Sequence, residues 1–169
     1  MKELVSFSSL MTDMLQQQYS AEQQQRESLE QIKTKVFSSA LLGLLVNYAD
    51  DKEQNLDRLQ RCFKLLQIIP PLRIARIVKA VISQTRFNMN NSGERYVAEA
   101  ALIAGLQQIN HLNICAYGTI AAFAQALQLN EVARLTHDAL QSEKQIDRQL
   151  SRLAIIYINP EAVTESEDC

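Results

Sequence analysis

Turn-forming residues are scarce in this chain: 169 residues include only four Gly and three Pro. With Ala, Leu, Gln and Ile dominating instead, the composition is that of a chain that stays in helices and turns rarely, and it gives β-strands little support. A strong charge of either sign is also missing. The formal net charge of −2 draws the protein neither to nucleic acid nor to an anionic membrane, so neither is an expected partner. No uninterrupted apolar run approaches the roughly 18 residues that span a bilayer, and the stretch before Asp13 is too short of apolar residues for a secretory leader. A soluble, cytoplasmic protein is the expectation. The three cysteines, Cys62, Cys115 and Cys169, form an odd set with no CxxC spacing. Cys62 and Cys115 fall in apolar helical stretches, where a thiol acts as a small hydrophobe, and all three are read as reduced.

A chain of this length is one domain by the usual prior and buries roughly 70% of its unfolded surface without staples. Helical periodicity runs from about Lys2 to Lys35 and from Ser39 to Gln67, with Ser38 or Ser39 available as N-cap and Pro70-Pro71 as the stop. A shorter piece from Leu72 to about Arg86 carries Ile74, Ile77, Val78, Val81 and Ile82 on one face and is expected to pack as a connector. Phe87 to Gly93 reads as a loop. A third long helix follows from about Glu94 to Gln128, and a fourth, capped by Asn130, runs to about Tyr157. The predicted organisation is all-α: residues 1–158 form a ferritin-like four-helix bundle with a short extra helix in the long crossover, and 159–169 form a disordered acidic tail.

Following each helix at alternating steps of four and three keeps to one face, and that face turns polar at mid-length every time. The first helix reads Met11, Leu15, Gln18, Glu22, Gln25, Leu29, Ile32; the second reads Leu41, Leu44, Tyr48, Asp51, Asn55, Leu59, Cys62. The third reads Ile103, Leu106, Asn110, Asn113, Tyr117, Ile120, Ala124, and the fourth sets Glu143 and Asp147 beside Leu140, Ile146 and Leu150. A buried carboxylate is costly, so such a layer needs hydrogen bonds, water, protonation or a cation to compensate it. The competing reading rotates one or more helices and leaves Glu22, Asp51 and Glu143 on solvated edges.

The stretches Tyr19-Ser20-Ala21-Glu22 with Gln24, Ala100 to Ala104 with Ala116-Tyr117-Gly118-Thr119, and Glu143-Lys144-Gln145 with Asp147 carry a family resemblance. Over roughly Met11 to Ala154 the chain resembles the YciE/YciF-like stress-response proteins of bacteria, a branch of the ferritin-like superfamily. The resemblance implies a homodimer and a metal centre in the seam, with Glu22 at the family's first-helix ligand. Three departures stand out. The family's His-Leu-Glu-Glu-Thr is Tyr48-Ala49-Asp50-Asp51-Lys52 here, which removes the histidine, shortens the carboxylates and lets Lys52 add positive charge near the site. Its Val-Glu-His-Tyr-Glu is Ile109-Asn110-His111-Leu112-Asn113, so both third-helix carboxylates are amides. Its Glu-Glu-Lys-x-x-Asp is Ser142-Glu143-Lys144-Gln145-Ile146-Asp147, which keeps one Glu and the Asp.

The metal ligands so implied are Glu22, Asp51, Glu143 and Asp147, inside a polar core layer of Gln18, Gln25, Asn55, Asn110 and Asn113. A two-metal centre needs about four carboxylates plus histidines. The expectation is therefore a divergent stress-response bundle with a vestigial centre and no cofactor. The alternatives are a working Fe or Mn oxidase or metal-handling protein on those four ligands, or a helical adaptor that docks a protein partner through its apolar connector from Leu72 to Ile82. His111 and His137 are read as a packing residue and a solvent-exposed residue, and Tyr19, Tyr48 and Tyr117 as packing anchors.

Overall fold

Serines set where the first two helices begin. In a computed structural model that describes residues 6–70 and 74–167, with side chains described as far as 164, α1 spans Phe7–Lys33 and starts with a capping box. Ser6 Oγ accepts from the Ser9 N–H and Ser9 Oγ accepts from the Ser6 N–H, both at 3.0 Å. Helix α2, Ser39–Leu66, is capped by Ser38, and Glu99 steadies the preceding turn by accepting from the Phe37 and Ser38 N–H groups at 2.9 Å each. It ends on Gln67, which adopts left-handed φ of 54°. Helices α3 (Arg76–Asn90), α4 (Arg95–Ala126) and α5 (Asn130–Leu153) follow. All the described elements are helical.

Helix α1 packs on α2 and α4, and α5 packs on α4 and α2, which leaves α2 and α4 diagonal. The two apolar clusters fix the directions. One joins Met11 and Leu15 of α1 to Leu59 and Phe63 of α2, Ile120 and Ala124 of α4, and Val132 and Leu135 of α5. The other joins Leu29 and Ile32 to Leu41 and Leu45, Leu102 and Ile103, and Ile146 and Leu150. Packed neighbours are therefore antiparallel, and the link from α2 to α4 must travel the length of the bundle. Helix α3 makes that journey against α4 and α1, the connectivity of a ferritin-type bundle. It packs closest where Thr85 meets Gly105: a Cβ there would lie 1.9 Å from the Thr85 hydroxyl oxygen.

Several boundaries differ from the sequence expectation. Phe87 to Asn90 are helical, so the predicted loop shrinks to residues 91–94, because α3 continues as long as its one buried face, Val78 and Thr85, has α4 to pack on. Ile74 and Ile77 point outward rather than inward, and Leu72 lies outside the described residues. Asn130 opens α5 as its first helical residue but does not cap it, and Leu129 takes the cap position without a side-chain bond. Of the expected disordered tail, 159–167 are helical and 168–169 lie outside the described residues: α5 passes through a π-turn, Ala154–Ile158, into α6, Asn159–Glu167. Proline at 160 cannot donate back into an α-helical ladder, and a π-turn just before it takes up the mismatch that would otherwise break the helix. The π-turn buries Ile158 and sets the Tyr157 hydroxyl 3.0 Å from that of Tyr96 on α4. Among the described residues no helix is long and apolar enough to cross a membrane.

Candidate functional site

Between the two apolar clusters lies a fully buried polar layer. Spacings of three and four put Gln18, Glu22 and Gln25 on the inner face of α1, Tyr48, Lys52 and Asn55 on that of α2, and Asn110, Asn113 and Tyr117 on that of α4. Helix α5 adds Glu143. Lys52 and Glu22 are 0% exposed and Glu143 is 1% exposed, so the charges have only one another and the surrounding dipoles for solvation.

Each carboxylate is held in two parts. Glu22 Oε1 accepts from the Tyr117 hydroxyl at 2.8 Å and from Gln18 Nε2 at 3.0 Å. Its Oε2 has no aligned hydrogen bond and faces the Lys52 ammonium at 3.1 Å. Glu143 Oε2 accepts from Asn110 Nδ2 at 2.8 Å and Asn113 Nδ2 at 3.1 Å, while its Oε1 accepts from Asn55 Nδ2 at 2.9 Å and from Lys52 Nζ. The ammonium thus bridges α1 and α5 from its place on α2, and it lies 4.7 Å from the centre of the Tyr48 ring. Amides close the network around it. Asn113 exchanges hydrogen bonds with Gln25 at 2.8 and 3.0 Å, and Arg58 donates to Asn55 Oδ1 at 2.6 Å.

These surroundings displace the titrations in a consistent way. Burial raises the Glu22 carboxyl above its ordinary value, Lys52 offsets this only in part, and Glu143 adds to the rise. Burial alone would lower Lys52, but Glu143 and Glu22 outweigh it and hold the ammonium above the usual lysine range. The phenols of Tyr48 and Tyr117 are pushed up by burial, which keeps both neutral. With both carboxylates ionised the layer carries one negative charge in excess, two carboxylates against one ammonium.

All five predicted members of the polar layer, Gln18, Gln25, Asn55, Asn110 and Asn113, lie in it beside Glu22 and Glu143. Asp51 and Asp147 do not. Asp51 is half-buried at the α2–α5 edge near Ser142, its carboxyl raised chiefly by burial; Asp147 sits at the rim with His111 Nε2 3.1 Å away. The rotated-helix reading fails for Glu22 and Glu143 and holds for Asp51, and Asp147, expected as a ligand, also lies outside the layer. His111, with a side chain 66% exposed, is a rim residue rather than a packing one, and His137 is exposed as expected. Cys115 is exposed, unlike the buried Cys62.

The residue missed by the sequence pattern is Lys52. Steps of four and three from Tyr48 fit either Asp51 or Lys52 before Asn55, and the sequence reading takes the seam through Asp51, with Lys52 only as a positive charge near the site. The signal was nonetheless present: Tyr48, Lys52, Asn55, Leu59 runs at steps of four, three and four, and places a cation opposite two glutamates that otherwise have none.

A pair of divalent cations calls for about four carboxylates and histidines, and this donor set does not match that. Among the described residues no three His, Cys, Asp or Glu side chains converge. The layer offers two carboxylates, neutral amides that coordinate hard cations weakly, and an ammonium between the carboxylates.

Fold and site together define a class: an all-α four-helix bundle with ferritin-type connectivity and a buried, lysine-bridged polar layer. The chain belongs to the family described as Domain of unknown function (DUF892), which matches residues 6–163. It is 26% identical over 153 residues to protein YciF of Escherichia coli K12, covering 88% of this chain and 90% of that one. The crystal structure of the Escherichia coli stress protein YciF superposes with a TM-score of 0.87 at 23% identity, over 92% of this chain and 99% of the other. YcfI of Rhodopseudomonas palustris superposes with a TM-score of 0.85 at 23% identity, over 89% and 96%.

Proposed function

We propose that this chain is a stress-response protein of the DUF892 family that works as a structural or interaction bundle, paired as a homodimer, with no two-metal centre. The link to stress comes from the name of its relative, YciF. The observation that carries the rest is the Lys52 ammonium lying between Glu22 and Glu143. A divalent ion about 4 Å from that charge would meet roughly 8 kcal/mol of repulsion at an effective dielectric of 20, and two such ions would have only two carboxylates between them. Exposed Ile74 and Ile77 at the start of α3 favour an interaction role over catalysis.

The test is the iron, manganese and zinc content of protein purified without chelators. The expected result is far less than one metal per chain, with a melting temperature unmoved by Fe²⁺ or Mn²⁺, since an ion that binds only the native state must raise it. Two tightly held transition metals per chain would refute the proposal. Sedimentation of the same sample tests the homodimer.

A further inference from the structure

Helix α5 neutralises the cations of its first half and leaves those of its second half bare. Near its start Arg134 donates to Glu131 at 2.6 and 2.9 Å and to Asp138 at 2.9 Å, and Arg61 of α2 reaches the same Glu131 at 3.2 Å. Further on, Lys144, Arg148 and Arg152 are all exposed, and among the described residues none of them forms an ion pair. Their own helix offers them no carboxylate: Glu143 is turned inward to Lys52, Asp147 faces His111, and the next acid along the chain, Glu161, comes only after the π-turn. The three follow one another in single file at steps of four, about 6 Å per step, on the face of α5 turned away from α2 and α4. Ile155 and Ile156, 70% and 65% exposed, close the row. A helix end would favour cations through its dipole alone, but α5 runs on through the π-turn into α6, so the row lies within a continuing helix.

We infer that this row is a docking face for an acidic peptide segment of a partner protein, one that presents carboxylates at the same repeat along one side of a helix and apolar residues at its end for Ile155 and Ile156. The inference rests on the interaction-bundle reading above and names the partner's chemistry. Width decides between partners. The row is one helix across, with half-buried Asp51 on its α2 side and Asp147 on its α4 side. A nucleic-acid duplex or an anionic bilayer is broader than that and would bring its own negative charge onto both carboxylates, whereas a peptide helix laid along α5 meets the cations alone. Arginine at two of the three positions suits such a partner, because a guanidinium takes a carboxylate with two parallel hydrogen bonds. Exposed ion pairs contribute little singly, so the affinity comes from the three cations acting with the isoleucines, at a Kd of roughly 10 to 100 μM.

The experiment follows the fluorescence anisotropy of a dye-labelled, alanine-based helical peptide, with three glutamates one turn apart and two leucines at one end, as the full chain is added. Saturable binding that weakens as salt rises is expected, with none for the same peptide carrying glutamine in place of glutamate. Lys144→Gln, Arg148→Gln and Arg152→Gln together are expected to weaken binding by about 10-fold, and Ile155→Ser with Ile156→Ser by about 10-fold as well. No binding of the acidic peptide, undiminished binding to the triple variant, or equal binding of the glutamine peptide overturns the inference. Tighter binding of oligodeoxythymidylate, or of vesicles of phosphatidylglycerol and phosphatidylcholine, than of the peptide overturns it too. Should the triple variant melt below the wild type, Lys144→Glu, Arg148→Glu and Arg152→Glu together decide: a peptide with lysine for its glutamates is expected to bind that variant, and its failure to bind overturns the inference. Metal content is read from a separate sample, so two bound metals would sink the interaction-bundle reading whatever the peptide does.

Discussion

Replacing Glu143 with glutamine should unpick the polar layer, because this one carboxylate accepts from four side chains: Lys52, Asn55, Asn110 and Asn113. Glutamine has one carbonyl oxygen, so whichever way its amide turns, one pair of donors faces an NH₂ group in a site sealed from water. If the amide end faces Lys52, a buried ammonium keeps only Glu22, 3.1 Å away and poorly aligned. Breaking a buried ion pair at one partner costs about 3 to 5 kcal/mol, a large fraction of the total stability of an ordinary domain. For a chain of this length that corresponds to a drop in melting temperature of roughly 6 to 20 °C. Urea unfolding followed by circular dichroism would read it as a lower midpoint at unchanged slope. Glu143→Gln combined with Lys52→Met should recover more than half of the loss, since the cation that lost its partner is gone and Glu22, already raised by burial, can take up a proton. Less than about 1 kcal/mol for the single variant, or no recovery in the double one, would refute the description of Glu143 as the lysine's main partner.

Gly105→Ala should destabilise by about 1 to 2 kcal/mol net: the new methyl would sit 1.9 Å from Thr85 Oγ1 and 2.8 Å from its Cβ, and overpacking outweighs the gain in helix propensity. Thermal unfolding checks it, and equal or greater stability would mean that α3 packs less tightly on α4 than described. Burial pushes the Cys62 thiol up to about 12, so in a Cys169→Ser background a thiol reagent at pH 8 should label exposed Cys115 quickly and Cys62 only after unfolding. Fast labelling of both thiols in native protein would contradict this. Glu22 titrates above its unfolded value, so the native state holds the proton more tightly, and the stability this gives is full at low pH and falls as pH rises from about 4.5 through the raised native value. Stability against pH, compared between wild type and Glu22→Gln, should show the wild type losing ground across that window; a flat difference would place the Glu22 titration elsewhere.

The helices themselves were legible in the sequence. Met11, Leu15, Leu29 and Ile32, or Ile103, Leu106, Ile120 and Ala124, fall at spacings that can bury only one face of a helix, and the structure buries them. The inward amides Gln18, Gln25, Asn110 and Asn113 were legible on the same ground, because they interrupt an apolar stripe without leaving it. Ser38 at the head of α2 and the long crossover followed from local chemistry that needs no partner. Helix ends were less legible: Phe87 to Asn90 and Asn159 to Glu167 look like loop and tail in isolation, and become helical where α3 has α4 to lie on and a π-turn absorbs Pro160.

Only the tertiary structure decided which charge enters the core. Asp51 and Lys52 are neighbours about 100° apart around α2, and either satisfies the periodicity. The rotation of α2 is set by what faces it, and Glu22 and Glu143 arrive from α1 and α5, 30 residues before Lys52 and 91 after it. A buried ammonium is tolerable only with both carboxylates in reach, a condition of three helices together that no local pattern contains. The sequence by itself determined a helical bundle with a polar waist, and the packing of its helices made that waist a lysine held between two glutamates.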